Sequence, residues 1–133
     1  EASLVDVVRQ YHGAKQGGRI SDASVRERLV RLEMESRSYQ LTQRRVMAET
    51  QARAPSTATS ILKVTGARLT KERTELHQQS LGVQGIGWEG PGFSSRELET
   101  TRTWLSSRAV SIYGGTSEIQ LNIIAKRVLG LPD

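Results

Sequence analysis

These 133 residues contain no cysteine, one phenylalanine, two tryptophans, three prolines and two histidines. Without thiols there is no disulfide scaffold, no thiol nucleophile and no cysteine-held metal. Neither His12 nor His77 has a second ligand three or four residues away, so both read as exposed or capping side chains and no metal site is expected. No apolar run approaches the roughly 18 residues that a bilayer span requires, and no basic, apolar and small-residue leader opens the chain. A cytoplasmic location without a membrane span is therefore expected. The chain opens on Glu1 rather than Met, which reads as a fragment or a processed product. Runs that alternate apolar and polar residues are missing too, and with them any strand signal.

What is present is helical punctuation. Hydrophobic residues make up 36% of the chain and charged residues 25%, a lean composition that suits amphipathic helices in one compact domain. Lys and Arg number 19 against 14 Asp and Glu, for a net charge of +5. That excess suits nucleic acid, phosphate-bearing cofactors or acidic membranes alike and does not choose among them. Arg26, Arg28, Arg31, Arg37, Arg44, Arg45 and Arg53 spread over more than half of a helix circumference and are interrupted by Glu27, Glu33, Glu35 and Glu49. They read as a solvated face, and no nucleic-acid partner is expected. Lys63 and Arg68 face either phosphates or water.

Leu4, Val5, Val7, Val8 and Tyr11 gather on one side of a helix that looks like the tail of one begun upstream and stops at Gly17-Gly18. Ser21-Asp22 offers capping oxygens, and Ser24 with Glu27 has capping-box spacing. Val25, Leu29, Leu32, Ser36, Tyr39, Gln43 and Val46 then step by four and three along a long second helix, which Ala54-Pro55 ends. Ser56 or Thr57 opens a third, with Ile61, Thr65, Leu69, Glu72 and Leu76 on one face, running to about Leu81. Gly82 to Gly92 is too rich in glycine for a helix interior and reads as a loop anchored by Ile86 and Trp88. Ser94 or Ser95 caps a fourth helix with Leu98, Leu105, Ala109 and Ile112 inward, broken at Gly114-Gly115. Thr116 or Ser117 opens the last, with Ser117 to Gln120 at capping-box spacing and Ile119, Ile123, Ile124 and Val128 on its apolar side. Gly130-Leu131-Pro132 stops it. Trp104 and Tyr113 read as packing residues with a polar end near the surface. The expected architecture is all-α, an antiparallel four-helix bundle with an additional C-terminal helix.

The corner Ile112-Tyr-Gly-Gly-Thr-Ser-Glu-Ile-Gln120 combines two glycines, which let a backbone turn sharply and approach a ligand, with a helix start whose amides suit a phosphate. A plain capped helix corner fits the same residues. The stretch from Ser111 to Pro132 resembles the C-terminal signature of acyl-CoA dehydrogenases, and weaker similarity extends over nearly the whole chain.

The resemblance implies that residues 1–133 are the C-terminal helical bundle domain of a longer FAD enzyme whose N-terminal and middle domains are absent here. That enzyme introduces an α,β double bond into an acyl-CoA thioester and passes electrons to an electron-transferring flavoprotein. It implies FAD contacts from Gly115, Thr116 and Glu118, and from Gln79 and Gly82 toward a flavin held mainly by a neighbouring subunit. Departures from the family pattern are specific. Gly114 occupies the usual place of the catalytic Glu, so the base is unknown; Glu1 lies at the edge of the region that carries it in other branches. Val83 replaces a second glycine, Leu105-Ser106 replaces an Arg-Asp pair with Arg108 keeping a basic residue nearby, and Lys15-Gln16-Gly17-Gly18 lacks the Phe of the Arg-x-x-Phe-Gly turn. The resemblance implies a homo-oligomer, an ordinary homotetramer with the base upstream, and the departures suggest a mixed oligomer in which a related subunit supplies the missing groups. A competing reading is a non-catalytic assembly subunit that scaffolds an active partner.

Overall fold

The computed structural model describes residues 3–52 and 59–132. Glu1, Arg53, the break at Ala54-Pro55 and the caps at Ser56 and Thr57 lie outside them. Among the described residues are five α-helices: α1 (Leu4–His12), α2 (Ala23–Gln51), α3 (Thr59–Ser80), α4 (Ser95–Ser106) and α5 (Ser117–Ile123). The only β pairing among them is an isolated bridge between Ala14 and Ile20. No helix there is long and apolar enough to cross a membrane.

The helices α1, α2, α4 and α5 each begin where a side chain takes over an orphan amide. Ser3 and Asp6 form a capping box, so α1 starts at Leu4 rather than continuing a helix from upstream, and it stops at Gly13 (φ 72°), short of Gly17. Asp22 accepts from the amides of Ser24 (2.8 Å) and Val25 (3.2 Å), which puts Ser24 inside α2 and leaves the Ser24–Glu27 box unused. Ser94 and Glu97 form the box that opens α4.

The central element is α3, which packs on α1, α2, α4 and α5. The core joins Leu4, Val8, Ile20, Leu29, Leu32, Leu69 and Leu76, with Val5, Val25 and Tyr39 against it. All seven expected seam positions of α2 are buried or half-buried. Antiparallel register between α2 and α3 is set by Arg28 to Gln79 (2.8 Å), Arg73 to Glu33 (3.1 Å) and an Arg68–Glu35 ion pair. Those pairs are exposed, so they fix register more than they add stability.

Several expected core positions turn outward. Glu72 is exposed and pairs with Arg68 at 2.9 Å, because an ion pair at i,i+4 on the helix surface avoids burying a charge. Residues 82–92 are not a plain loop: Gly82–Ile86 forms a 3₁₀ turn, with Gly85 and Gly87 buried, while Ile86 and Trp88 are 73% and 54% exposed. In α4 the buried positions are Thr100 and Thr101, followed by Ser107 in the 3₁₀ turn Ser107–Ser111 that succeeds the helix, whereas Leu105, Ala109 and Ile112 face out. Each of these buried hydroxyls donates to a carbonyl, Thr100 to that of Arg96 (2.9 Å), Ser107 to that of Trp104 (2.7 Å) and Thr101 to that of Gly85 across the chain (3.0 Å). A hydroxyl so bonded is buried at little cost. The indole of Trp104 is half-buried with its N–H buried and unpartnered, the reverse of an end near the surface. His12 and His77 are half-buried rather than exposed.

Four caps depend on charge. Hydrogen bonds from Ser3 hold Asp6 below its ordinary 3.8, those from Ser24 and Val25 do the same for Asp22, the Ser94 amide lowers Glu97, and Glu118's own amide lowers Glu118. Depressed carboxylate pKa values stabilise the fold above the unfolded values and lose that contribution as pH falls through the folded ones. The melting temperature is expected to be flat from neutral pH down to about pH 4.5 and to drop below it, as thermal unfolding across pH 7 to 2.5 would show.

Candidate functional site

The connection from α4 to α5 turns through Gly114 (φ 67°) and Gly115 (φ 98°), backbone conformations that an L side chain rarely adopts. A Cβ at Gly115 would come within 2.6 Å of the Gln120 amide nitrogen, so the turn is closed by Gln120 reaching back toward the Gly114 carbonyl at 3.5 Å. Two cations clasp this connection onto α3. Lys63 donates to the Val110 carbonyl at 2.7 Å with its ammonium 4.9 Å from the centre of the Tyr113 ring. Arg108 donates to the Lys71 carbonyl (3.1 Å) and to Ser107 (3.0 Å), and lies over Trp104. The corner is thus carried by the central helix.

Thr116 caps α5, its hydroxyl accepting from the Ile119 amide at 3.4 Å; the Ser117–Gln120 box does not form. The Glu118 carboxyl is held below its ordinary 4.5 by its own amide and by the Thr116 hydroxyl, with Lys71 adding to the pull. The Ile119 amide at the start of α5 is therefore engaged. An incoming phosphate would meet a carboxylate there, and the corner instead presents acceptors to a ligand's hydroxyl or amino donors. Gly114 brings no side chain, and a Cβ placed there would lie 3.7 Å from the Lys63 Cε.

Gln79 and Gly82 form a second, separate patch at the far end of α3. Gln79 accepts from Arg28 (2.8 Å) and donates to Glu75 (3.3 Å), and Gly82 turns the chain at φ 56°. Lys63, beneath Gly114, and Gln79 are sixteen residues apart on α3, about 24 Å along its axis. The structure thus gathers Gly115, Thr116 and Glu118 at one corner and leaves Gln79 and Gly82 at another. Sequence reasoning placed Arg28 on a solvated face and missed its place beside Gln79; only the antiparallel pairing of α2 with α3 brings them together. No group of three or more His, Cys, Asp or Glu among the described residues is placed to hold a metal ion.

Residues 1–129 match the family described as acyl-CoA dehydrogenase, C-terminal domain. The chain is 38% identical over 122 residues to acyl-CoA dehydrogenase IpdE1 of Mycolicibacterium smegmatis, covering 90% of this chain and 28% of that protein. It is 33% identical over 131 residues to acyl-CoA dehydrogenase IpdE1 of Mycobacterium tuberculosis, covering 98% and 31%. The chain therefore spans less than a third of the length of these relatives. Among solved structures, the ChsE4-ChsE5 complex from Mycobacterium tuberculosis is similar with a TM-score of 0.75 at 26% identity, covering 98% of this chain and 35% of that one. The FAD complex of PigA shares the fold with a TM-score of 0.75 at 22% identity, covering 96% and 32%. On its helical architecture and its match over residues 1–129, the chain belongs to the acyl-CoA dehydrogenase family, in the part that forms the C-terminal domain.

Proposed function

We propose that residues 1–133 are the C-terminal helical domain of an FAD-dependent acyl-CoA dehydrogenase, which introduces an α,β double bond into an acyl-CoA thioester. In this reading the domain supplies flavin contacts and oligomer surface. The observation that carries it is the corner itself: two left-handed glycines deliver the Thr116 hydroxyl and the Glu118 carboxylate to one edge, where the family motif lies. The residues fit FAD in two parts. Thr116 and Glu118 suit its hydroxyl or amino donors, whereas the guanidinium of Arg28 beside Gln79 suits its diphosphate. Since the two patches are far apart on α3, they serve different parts of a flavin or flavins of different subunits.

Bound flavin supplies the hydride acceptor for the β-hydrogen. The chain's own residues orient and hold. Gly114 has no group to take the α-proton, and Glu118, held ionised by its cap, is a weaker base than a free carboxylate. The base therefore belongs to a carboxylate elsewhere in the intact protein or on a related subunit. Acyl-CoA and an electron-transferring flavoprotein are the partners this reaction requires.

Gly114 also favours a second reading, a non-catalytic subunit that assembles with an active dehydrogenase. The visible spectrum of the intact protein separates the two. A yellow preparation that bleaches anaerobically on addition of acyl-CoA supports the enzyme; a colourless protein that co-purifies with a flavin-bearing subunit supports the assembly role.

A further inference from the structure

Between α2, α3 and the 3₁₀ turn Ser107–Ser111 lies a cleft of about 420 Å³, a size that suits a small organic molecule. Among the described residues that line it, Lys63 is the one charged side chain. Neighbouring clefts differ, since Glu35 accompanies Arg68 in one and Glu33 accompanies Arg73 in another. Those are balanced in charge; this one carries an uncompensated cation.

Nor is Lys63 neutralised outside the cleft. Arg31, Arg68, Arg73 and Arg108 each pair with a carboxylate. Half-buried Lys63 instead meets the Val110 carbonyl at 2.7 Å and the face of the Tyr113 ring, its ammonium 4.9 Å from the ring centre. Neither neighbour bears a charge. An ammonium has three N–H donors, so capacity remains for an anion after the carbonyl has taken its share. The attraction is strengthened by the partial burial of the cation, which bulk water screens less than an exposed one.

Tyr39 brings a hydroxyl to the same cleft. Its phenol occupies the notch over Gly66, where a Cβ would lie 2.5 Å from the phenol oxygen, and it accepts from the Gln43 amide at 3.3 Å, which leaves its own proton to donate. Leu62, Ala67 and the Tyr113 ring add apolar wall. This chemistry selects the occupant. A phosphate calls for more positive charge and more donors than one ammonium and a phenol provide, typically an arginine fork. A carboxylate is served by one cation and a hydroxyl, and the apolar wall favours one that carries a compact hydrocarbon body.

We propose that this cleft is a binding site for a small monocarboxylate, its anionic head on the Lys63 ammonium and the Tyr39 hydroxyl and its body against Leu62 and Tyr113. The site needs neither flavin nor acyl-CoA, so it stands or falls apart from the flavin reading.

Benzoate is the probe, titrated calorimetrically into the full chain, with benzamide as its uncharged counterpart and inorganic phosphate as the competing anion. Benzoate is expected to bind in the millimolar range or tighter, and benzamide and phosphate about tenfold or more weakly. Lys63→Met should weaken benzoate by a similar factor and Tyr39→Phe by a few-fold, with circular dichroism checking that each variant stays helical. Wild-type protein locates the site without any variant. Trace acetylation read by peptide mass spectrometry should slow at Lys63 roughly tenfold when benzoate stands at about ten times its dissociation constant, and stay unchanged at Lys71. Benzamide or phosphate binding as well as benzoate, no benzoate binding at about 10 mM, or unaltered acetylation of Lys63 would each overturn the proposal. So would a Lys63 protected before benzoate is added and released on dilution, which would mean that a carboxylate of another chain, not a free acid, fills the cleft.

Discussion

Replacing Gly85 by alanine is expected to destabilise the protein by about 3 kcal/mol, more than a glycine on an exposed turn would suggest. Gly85 is buried beneath the end of α3, and a Cβ there would sit 2.2 Å from the Gln78 carbonyl oxygen and 3.2 Å from the Leu81 Cβ. The closest obstacle is backbone, so no side chain can swing aside to relieve it. Moving the turn outward would also break two hydrogen bonds to the Gly85 carbonyl, from Gln78 (2.9 Å) and from Thr101 (3.0 Å). Those bonds tie the glycine-rich turn to α3 on one side and α4 on the other. Gly92→Ala is the control: nothing lies within 4 Å of its Cβ position, and the variant should unfold within about 0.5 kcal/mol of wild type in urea.

Leu76→Ala should cost a similar amount, about 3 kcal/mol, for a different reason. Leu76 is 2% exposed in the core cluster and sits on α3, the helix that every other helix shares. Removing its branched end leaves a cavity that neighbours on two helices can fill only partly. The change should lower the urea midpoint while leaving the slope of the transition unchanged. Leu121→Ala, at a position 53% exposed on α5, should move it little.

Legibility in the sequence followed chemistry. The inner seam of α2 was readable because Val25, Leu29, Leu32 and Val46 are apolar at heptad spacing, and the polar members Ser36, Tyr39 and Gln43 fall in step with them. In α4 hydrophobic periodicity misleads, because Thr100, Thr101 and Ser107 are buried by bonding their hydroxyls to carbonyls and carry no apolar signal. Ile86 and Trp88 were misplaced since the packing surface of that turn is glycine backbone, which carries no hydrophobic signal. At the corner, the left-handed glycines and the Thr116 cap were legible. The lowering of the Glu118 carboxyl was not, because part of the pull on it comes from Lys71 on α3, which only tertiary structure brings near.

That carboxylate changes what the motif offers a ligand. A bare helix start would draw a phosphate; in the proposed reading the Glu118 carboxylate selects donors instead, and the guanidinium of Arg28 beside Gln79 meets the diphosphate. The most direct measurement is the FAD affinity of the intact protein with Glu118 exchanged for Lys. If Glu118 holds a flavin donor, affinity falls at least tenfold while circular dichroism stays unchanged; unchanged or tighter FAD binding would contradict the account.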